Sequence, residues 1–343
     1  MSVFFETDQI TLHHGDALKV AQTLESGSVQ TIVTSPPYFG LRDYGEDGQI
    51  GAEGSLAEYV DRMVQLFREL RRVLADDGTL WLNLGDSYAG TGYGNHDING
   101  ERWKAEAGLD RRKSRQQDLK RALAAEGIRP KNLLGVPWRV AFALQDDGWI
   151  LRSDIIWAKP NPMPESVTDR PTKAHEYLFL FAKSPRYYYD ADAIKEEAVK
   201  GDAGSSWTEG KTGEHQLGRA QRRPSAKQGD FVGKGPIAGT GQAAFRAVVE
   251  ERNKRTVWTV PTVPFPGSHF AVYPPELIRP CILAGSRPGD TVLDPFSGSG
   301  TTGAVATFEG RKYVGIDLNR DYLELSLRTR FQQPALPWDQ GVA

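Results

Sequence analysis

Thr34-Ser35-Pro36-Pro37-Tyr38 follows directly on the short apolar run Thr31-Ile32-Val33. Proline fixes φ, removes an N–H donor and restricts the residue before it. Ser35-Pro36-Pro37 is therefore a stiff, extended corner whose carbonyls have few local donors. At the end of a buried strand, such a corner presents a hydroxyl, carbonyl acceptors and a flat ring to whatever lies above the sheet edge. An ordinary strand exit with a half-buried tyrosine fits the same residues. Much later, residues 291–303 read TVLDPFSGSGTTG. Here Gly298-Ser299-Gly300-Thr301-Thr302-Gly303 satisfies G-x-G-x-x-G between an expected strand and helix, and Asp317 closes the next strand. Glycines so placed let backbone approach a ligand, and the later acid bonds ribose hydroxyls. Asp294-Pro295-Phe296 adds a carboxylate and a ring where an alkylammonium or sulfonium would sit comfortably. No Lys-Ser/Thr follows the glycines, which argues against a phosphate-cradling loop. A nicotinamide dinucleotide is the first rival ligand, although only one strand–helix unit follows the motif.

These residues need elements to hold them. Strands are expected at 10–14, 29–33, 79–84, 150–157, 176–182, 291–294 and 312–317, with an edge strand at Tyr187-Tyr188-Tyr189. Helices are expected at 17–24, 56–74, 133–144, 275–284, 301–308 and 320–331. The 56–74 helix is the clearest, with Tyr59, Val60, Met63, Leu66, Phe67, Leu70 and Val73 at helical spacing. Asp76-Asp77-Gly78 is expected to stop it, and Pro137 to sit in the first turn of its helix. Residues 85–131 carry no clear strand, and periodicity fades from 191 to 257. Strands alternating with helices indicate a layered α/β sheet with 191–257 as an appendage.

The net charge of −2 hides an uneven distribution. Residues 101–131 hold ten Lys/Arg against five Asp/Glu, and residues 200–255 eleven against six. Two basic patches on an acidic body point to a polyanionic partner, although solvated loops have the same composition. The single cysteine, Cys281, excludes an internal disulfide framework and a cysteine-rich zinc site. The histidines show no metal-ligand spacing, so no metal is expected. With no signal peptide or long apolar run, a cytoplasmic protein without a membrane partner is expected.

DPFSGSGTT together with TSPPY resembles the DNA amino-methyltransferase family, which methylates exocyclic amines of cytosine (N4) or adenine (N6) using S-adenosylmethionine. The spacers HFAVYPPELIRPCILAGSRPGDTVLDPF and IIWAKPNPMPESVTDRPTKAHEYLFLFAKS are also similar to it. With the tetrapeptide first and the glycine loop last, the order resembles that family's permuted β arrangement. The similarity covers roughly 10–90, 133–190 and 268–332. It implies a Rossmann-like α/β methyltransferase sheet with helices on both faces and circularly permuted motifs, plus a small irregular target-recognition region. The implied division is a catalytic half at 1–190 (with a basic loop at 86–131), a target-recognition region at 191–257 and a cofactor-binding half at 258–343.

The resemblance also assigns roles. Ser35, Pro36, Pro37 and Tyr38 would form the catalytic corner, the Ser35 hydroxyl and Pro36 carbonyl accepting the amine's two N–H protons while Tyr38 stacks on a flipped-out base. S-adenosylmethionine would be held by Asp294, Pro295, Phe296, Gly298, Ser299, Gly300, Thr301 and Thr302, with Asp317 on its ribose. Asp16 matches an acid near the adenine amine, and is equally well read as the N-cap of the following helix. His269 and Phe270 begin a segment that closes over the cofactor. Arg111, Arg112, Lys113, Arg115, Arg222 and Arg223 are candidates for DNA-backbone contact. Serine at the first tetrapeptide position resembles the N4-cytosine enzymes, with N6-adenine as the alternative. The partner is double-stranded DNA; a homodimer and a separately acting cognate restriction endonuclease stay open. Pro280-Cys281 resembles the nucleophile of cytosine-C5 methyltransferases, but Leu277, Ile278, Cys281 and Ile282 share a helical face, which favours core. Trp138, Trp149 and Trp157 are expected in the core, and Lys159 and Arg170 on phosphate or in solvent.

Overall fold

The computed structural model describes residues 2–40, 48–89, 119–198, 251–263 and 273–332. Contacts divide the chain into two units, 1–193 with 255–343, and Ile194–Lys254. In the second unit two short strands, β7 (Glu196–Glu197) and β8 (Glu251–Arg252), pair antiparallel, and Arg252 Nε lies 2.8 Å from Glu196 Oε1.

The first unit is built on one nine-stranded sheet. Its strands are β1 (Ser2–Glu6), β2 (Ile10–His14), β3 (Val29–Thr34), β4 (Leu74–Leu84), β5 (Ile150–Ala158), β6 (His175–Ala182), β9 (Val257–Thr259), β10 (Thr291–Asp294) and β11 (Lys312–Asp317). Their spatial order is β1-β2-β11-β10-β3-β4-β6-β5-β9. The strands from β2 to β4 are mutually parallel, and β6 runs against both its neighbours. The last two described strands, β10 and β11, are thus inserted between β2 and β3, which come from near the N-terminus. From β10 the chain moves outward to β11; from β3 it moves the other way to β4. The crevice between β10 and β3 is therefore a topological switch point, where open α/β sheets bind ligands beyond the carboxyl ends of their strands.

Helices cover both faces. On one lie α1 (Ala17–Ala21), α2 (Leu56–Val73) and α4 (Val136–Asp146), with a helical stretch, α3, over 119–125. α2 buries Tyr59, Met63, Leu66, Phe67, Leu70 and Val73 in a cluster with Ile32, Leu80, Leu82 and Leu293 from the strands. The alternate strand residues face the other way, as the two-residue strand period requires. There Gly285, at the end of α5 (Pro275–Gly285), lies against Thr31, Thr79 and Trp81, so close that a Cβ would stand 2.7 Å from both threonine hydroxyls. α6 (Thr301–Phe308) packs beside α5, and α7 (Arg320–Ser326) runs into a π-helical turn over Leu327–Phe331.

Most expected elements are present, with informative differences. The 56–74 helix ends at Val73 and passes straight into β4. Register against β3 jumps from Val29↔Leu74 to Thr31↔Thr79, so Asp76-Asp77-Gly78 is a bulge inside the strand and not a turn before it. The 133–144 helix begins at Val136, behind Gly135 at φ 68° and with Pro137 in its first turn, as its sequence suggests. Tyr187-Tyr188-Tyr189 form no strand. They are held by side chains and single backbone bonds instead, such as the Tyr188 ring under the Arg287 guanidinium at 3.8 Å and the Tyr188 N–H donating to the Asp77 carbonyl. Val257, expected in the appendage, pairs with Ile156 in the main sheet.

Candidate active site

β3 and β10 end side by side, so the corner after β3 and the glycine turn after β10 share one edge of the sheet. A hydrogen bond ties them: Thr34 Oγ1 donates to Asp294 Oδ1 at 2.7 Å. The Phe296 N–H donates to the same oxygen at 3.0 Å, while Thr302 Oγ1 (2.7 Å) and Tyr273 Oη (3.0 Å) donate to Asp294 Oδ2. A carboxylate has about four acceptor sites. Those of Asp294 are filled from within the chain, which leaves this residue, expected beside a sulfonium, no acceptor site for a ligand's hydrogen bond. Burial pushes its pKa up, against the four donors that pull it down.

The glycine turn has the geometry its pattern requires. Gly298 (φ 51°) and Gly300 (φ 77°) adopt left-handed backbone. The Gly298 N–H donates to Asp317 Oδ2 at 2.7 Å, across from β10 to the end of β11. At Gly303 a Cβ would stand 2.7 Å from the Phe331 ring and also strike Tyr313, so the third glycine allows α6 to close on the sheet. Pro295, Ser299 and Thr301 are buried, and Phe296 is half-buried. Asp317 is half-exposed at the rim, its Oδ1 accepting from the Asn319 N–H at 2.8 Å. Next to it, Asp16 Oδ1 caps α1 by accepting from the Lys19 N–H at 3.0 Å. The same Asp16 lines a hollow of about 410 Å3 with Gly15, Leu18, Lys19, Gly48, Arg62 and Leu318, within the range of small-molecule sites. The capping and ligand readings of Asp16 are thus compatible.

On the other side of the crevice, Pro36 is buried and Ser35, Pro37 and Tyr38 are half-buried. Tyr59 of α2 donates its hydroxyl to the Pro37 carbonyl at 3.0 Å, locking the corner to the helix face. Among the described residues none donates to the Pro36 carbonyl. Ser35 Oγ donates to Tyr38 Oη at 3.3 Å, and Tyr38 Oη donates to Glu176 Oε2 at 2.8 Å, with Asn83 Oδ1 at 3.2 Å. Burial and then the Glu176 charge push the Tyr38 pKa well above its ordinary value, so the phenol keeps its proton. Lys159 Nζ reaches Glu176 Oε1 at 2.5 Å, the two side chains only 17% and 15% exposed.

A DNA methylase family model matches residues 29–328. The chain belongs to the N6/N4 DNA methylase family. Family membership decides between the two ligand readings of the glycine turn in favour of methyl transfer over nicotinamide chemistry. This methylase is 47% identical over 322 residues to the type II methyltransferase M.Cfr9I of Citrobacter freundii, covering 94% of this chain and 88% of that one. It is 46% identical to M.SmaI of Serratia marcescens over 312 residues, 91% and 87% of the two chains. Its fold is that of the PvuII DNA methyltransferase (cytosine-N4-specific), with a TM-score of 0.59, 18% identity, and 96% and 89% of the chains covered. A putative DNA modification methylase of Thermus thermophilus, complexed with S-adenosylmethionine, aligns with a TM-score of 0.51 and 21% identity over 93% of each chain.

The remaining expected residues fall as follows. His269, Phe270, Arg111, Arg112, Lys113, Arg115, Arg222 and Arg223 lie outside the described residues. Lys159, expected on phosphate or in solvent, pairs with Glu176 and lies over the Trp157 ring at 4.1 Å. Arg170 likewise pairs with Glu165 Oε2 at 2.7 Å and covers the Tyr88 ring at 4.1 Å. Cys281 is fully buried, its thiol directed at the Leu277 carbonyl, which places it in the core. Trp149 and Trp157 are buried and Trp138 packs against the core. Sequence reasoning missed Glu176 and Asn83. The available signal was a lone glutamate opening the apolar run Tyr177–Ala182, where a buried charge needs a partner.

Proposed function

We infer that this methylase transfers a methyl group from S-adenosylmethionine to the exocyclic N4 amine of a cytosine flipped out of duplex DNA. The observation that carries the reading is the Thr34–Asp294 bond, which sets the Ser35 corner beside the glycine turn at the switch point. The donor set fits the cofactor. The Asp317 carboxylate suits ribose hydroxyls, Phe296 and the left-handed glycines suit the methionine part, and the hollow at Asp16 suits the adenine. When bound, the cofactor supplies an electrophilic methyl group on a sulfonium.

The chain's own residues act on the amine. Its lone pair is delocalised into the base, so it is a poor nucleophile until it pyramidalises. The Ser35 hydroxyl and the Pro36 carbonyl accept its two N–H protons and turn the lone pair toward the methyl. The prolines and the Tyr59 bond hold that geometry rigid, and positioning of this kind supplies much of the acceleration. Flipping the base costs a few kcal/mol. Stacking on the Tyr38 ring offsets about 1–3 kcal/mol of it. The basic residues near 111–115 and 222–223 would contact phosphates, and 191–257 would read the target.

Serine at the first corner position and the cytosine-N4 specificity of the PvuII enzyme favour cytosine; N6 of adenine is the second reading, which family membership equally admits. The relatives are named type II methyltransferases, which supports a separately acting restriction endonuclease that shares this enzyme's recognition sequence, and an enzyme working on DNA would act in the cytoplasm. Methylation-resolved sequencing of DNA from cells expressing the protein, with mass spectrometry of the nucleosides, tests this. N4-methylcytosine in one sequence context is expected; N6-methyladenine selects the second reading, and unmodified DNA removes both.

A further inference from the structure

An exocyclic amine that accepts a methyl group becomes cationic and must lose a proton. The corner alone offers only a neutral hydroxyl and a carbonyl, neither of which can keep one. Behind them, however, stands a continuous file of hydrogen bonds. Ser35 Oγ donates to Tyr38 Oη (3.3 Å), which donates to Glu176 Oε2 (2.8 Å), while Glu176 Oε1 meets Lys159 Nζ (2.5 Å). The file crosses three elements: the corner after β3, the start of β6 and the end of β5. It lies inside the sheet edge, where cooperative polarisation is strongest. Because Ser35 donates inward, its lone pairs face outward, ready to accept an amine proton.

Resting on the reading of Ser35 as the methyl-transfer site, we propose that Glu176 is the terminal proton acceptor of the reaction, reached through Ser35 and Tyr38 and held ionised by Lys159. The balance is simple. The amine N–H bond breaks with its electron pair left on nitrogen, and the proton goes to Ser35 Oγ. The serine proton passes to Tyr38 Oη, and the phenolic proton to Glu176 Oε2. Serine and tyrosine end neutral, as they began, and the carboxylate ends as a carboxylic acid beside a lysine cation. A later exchange with solvent resets it.

The charges around Glu176 support the assignment. Burial opposes its ionisation, but the Lys159 cation and its hydrogen bond, the Tyr38 hydrogen bond and Lys173 together bring its pKa below the usual glutamate value. Lys173, the other cation facing it, is held by the Asp86 carbonyl. The carboxylate is therefore charged at neutral pH, yet a far stronger base than a base amine that has just been alkylated.

Three variants test this. Glu176→Gln keeps the side chain's shape and its acceptor for Tyr38 but abolishes the base; Tyr38→Phe keeps the ring and cuts the file. Each should lower the single-turnover methylation rate about 100-fold, the low end for a proton-transfer residue. Calorimetric affinities for S-adenosylmethionine and DNA should stay within about twofold, because Glu176→Gln leaves Ser35 and Tyr38 in place and Tyr38→Phe keeps the ring that stacks on the base. Lys159→Met should slow turnover at neutral pH by neutralising Glu176, and the rate should recover as pH rises from about 6 to about 9, when a buried carboxyl without its cation ionises. Glu176→Gln should show no such recovery. A parent-like rate in either of the first two variants, or a Lys159→Met loss that is the same across that pH range, overturns the relay. Ser35→Ala separates the layers: if it too is fully active, the corner itself is misassigned, whereas an inactive Ser35→Ala beside an active Glu176→Gln removes only the relay.

Discussion

Thr34→Val probes the tie between the two halves of the site. The substitution keeps the size and β-branching of Thr34, 1% exposed, but removes the hydroxyl that donates to Asp294 Oδ1. Asp294, also 1% exposed, keeps three donors and loses one of its four. A hydrogen bond to a charged buried group contributes about 1.5–3 kcal/mol. At about 2.1 cal/mol/K of unfolding entropy per residue, a chain of 343 residues loses about 1.4 °C of Tm per kcal/mol, so the fall is roughly 2–4 °C. The pH dependence carries a second signature. The native Asp294 pKa is already raised, mainly by burial, so the folded state binds the proton more tightly than the unfolded one. Its effect on stability is therefore unfavourable as pH rises from the unfolded carboxyl value near about 3.9 through the raised native one. Removing a donor raises the native value further. The Thr34→Val penalty should thus be larger at neutral than at mildly acidic pH, because each rise in pH through that window favours the carboxylate that has lost a donor. Urea denaturation at both pH values reads it directly. An unchanged midpoint at neutral pH, or a penalty that grows on acidification, refutes the reading of this carboxyl as the hydrogen-bonded hub between the two segments.

Three further outcomes follow from the geometry. Ser35→Ala should slow methyl transfer at least about 100-fold, as expected for a positioned acceptor, while calorimetry shows cofactor binding intact; equal loss of both would contradict the division between corner and glycine turn. Asp317→Asn should weaken cofactor binding about tenfold or more, the scale of one charged hydrogen bond, and an unchanged affinity would remove Asp317 from the site. Cys281→Ser should leave the methylation rate unaltered because the thiol is sealed in the core, and an inactive but folded variant would reopen a covalent route.

Where side chains repeat with the period of their element, the fold was legible before any coordinates. The α2 stripe from Tyr59 to Val73, the β10–glycine turn–α6–β11 run and the burial of Cys281 follow from spacing alone. Short edge elements were not: β1 and β9 are five and three residues long and owe their state to pairing partners distant in sequence or to the sheet edge they complete. Asp76-Asp77-Gly78 was expected to stop the helix, but the helix ends at Val73 and the parallel pairing with β3 takes these residues in as a bulge. At the site, the two motifs announced themselves because proline and glycine constrain backbone locally. Glu176 and Lys159 did not, since nothing local brings them together. The antiparallel register that sets Trp157 opposite Glu176 carries Lys159 past the strand end and onto the carboxylate, which is a property of the sheet.

The proposed methyl transfer requires the cofactor to lie in the crevice between β10 and β3, with its reactive methyl aimed at the Ser35 corner. A crystal structure with S-adenosylmethionine bound measures this most directly. Ribose hydroxyls are expected within hydrogen-bonding distance of Asp317, the adenine in the hollow beside Asp16, and the methyl group directed toward Ser35 Oγ and the Pro36 carbonyl. A cofactor seated away from Asp317, or one whose methyl points away from that corner, would contradict it.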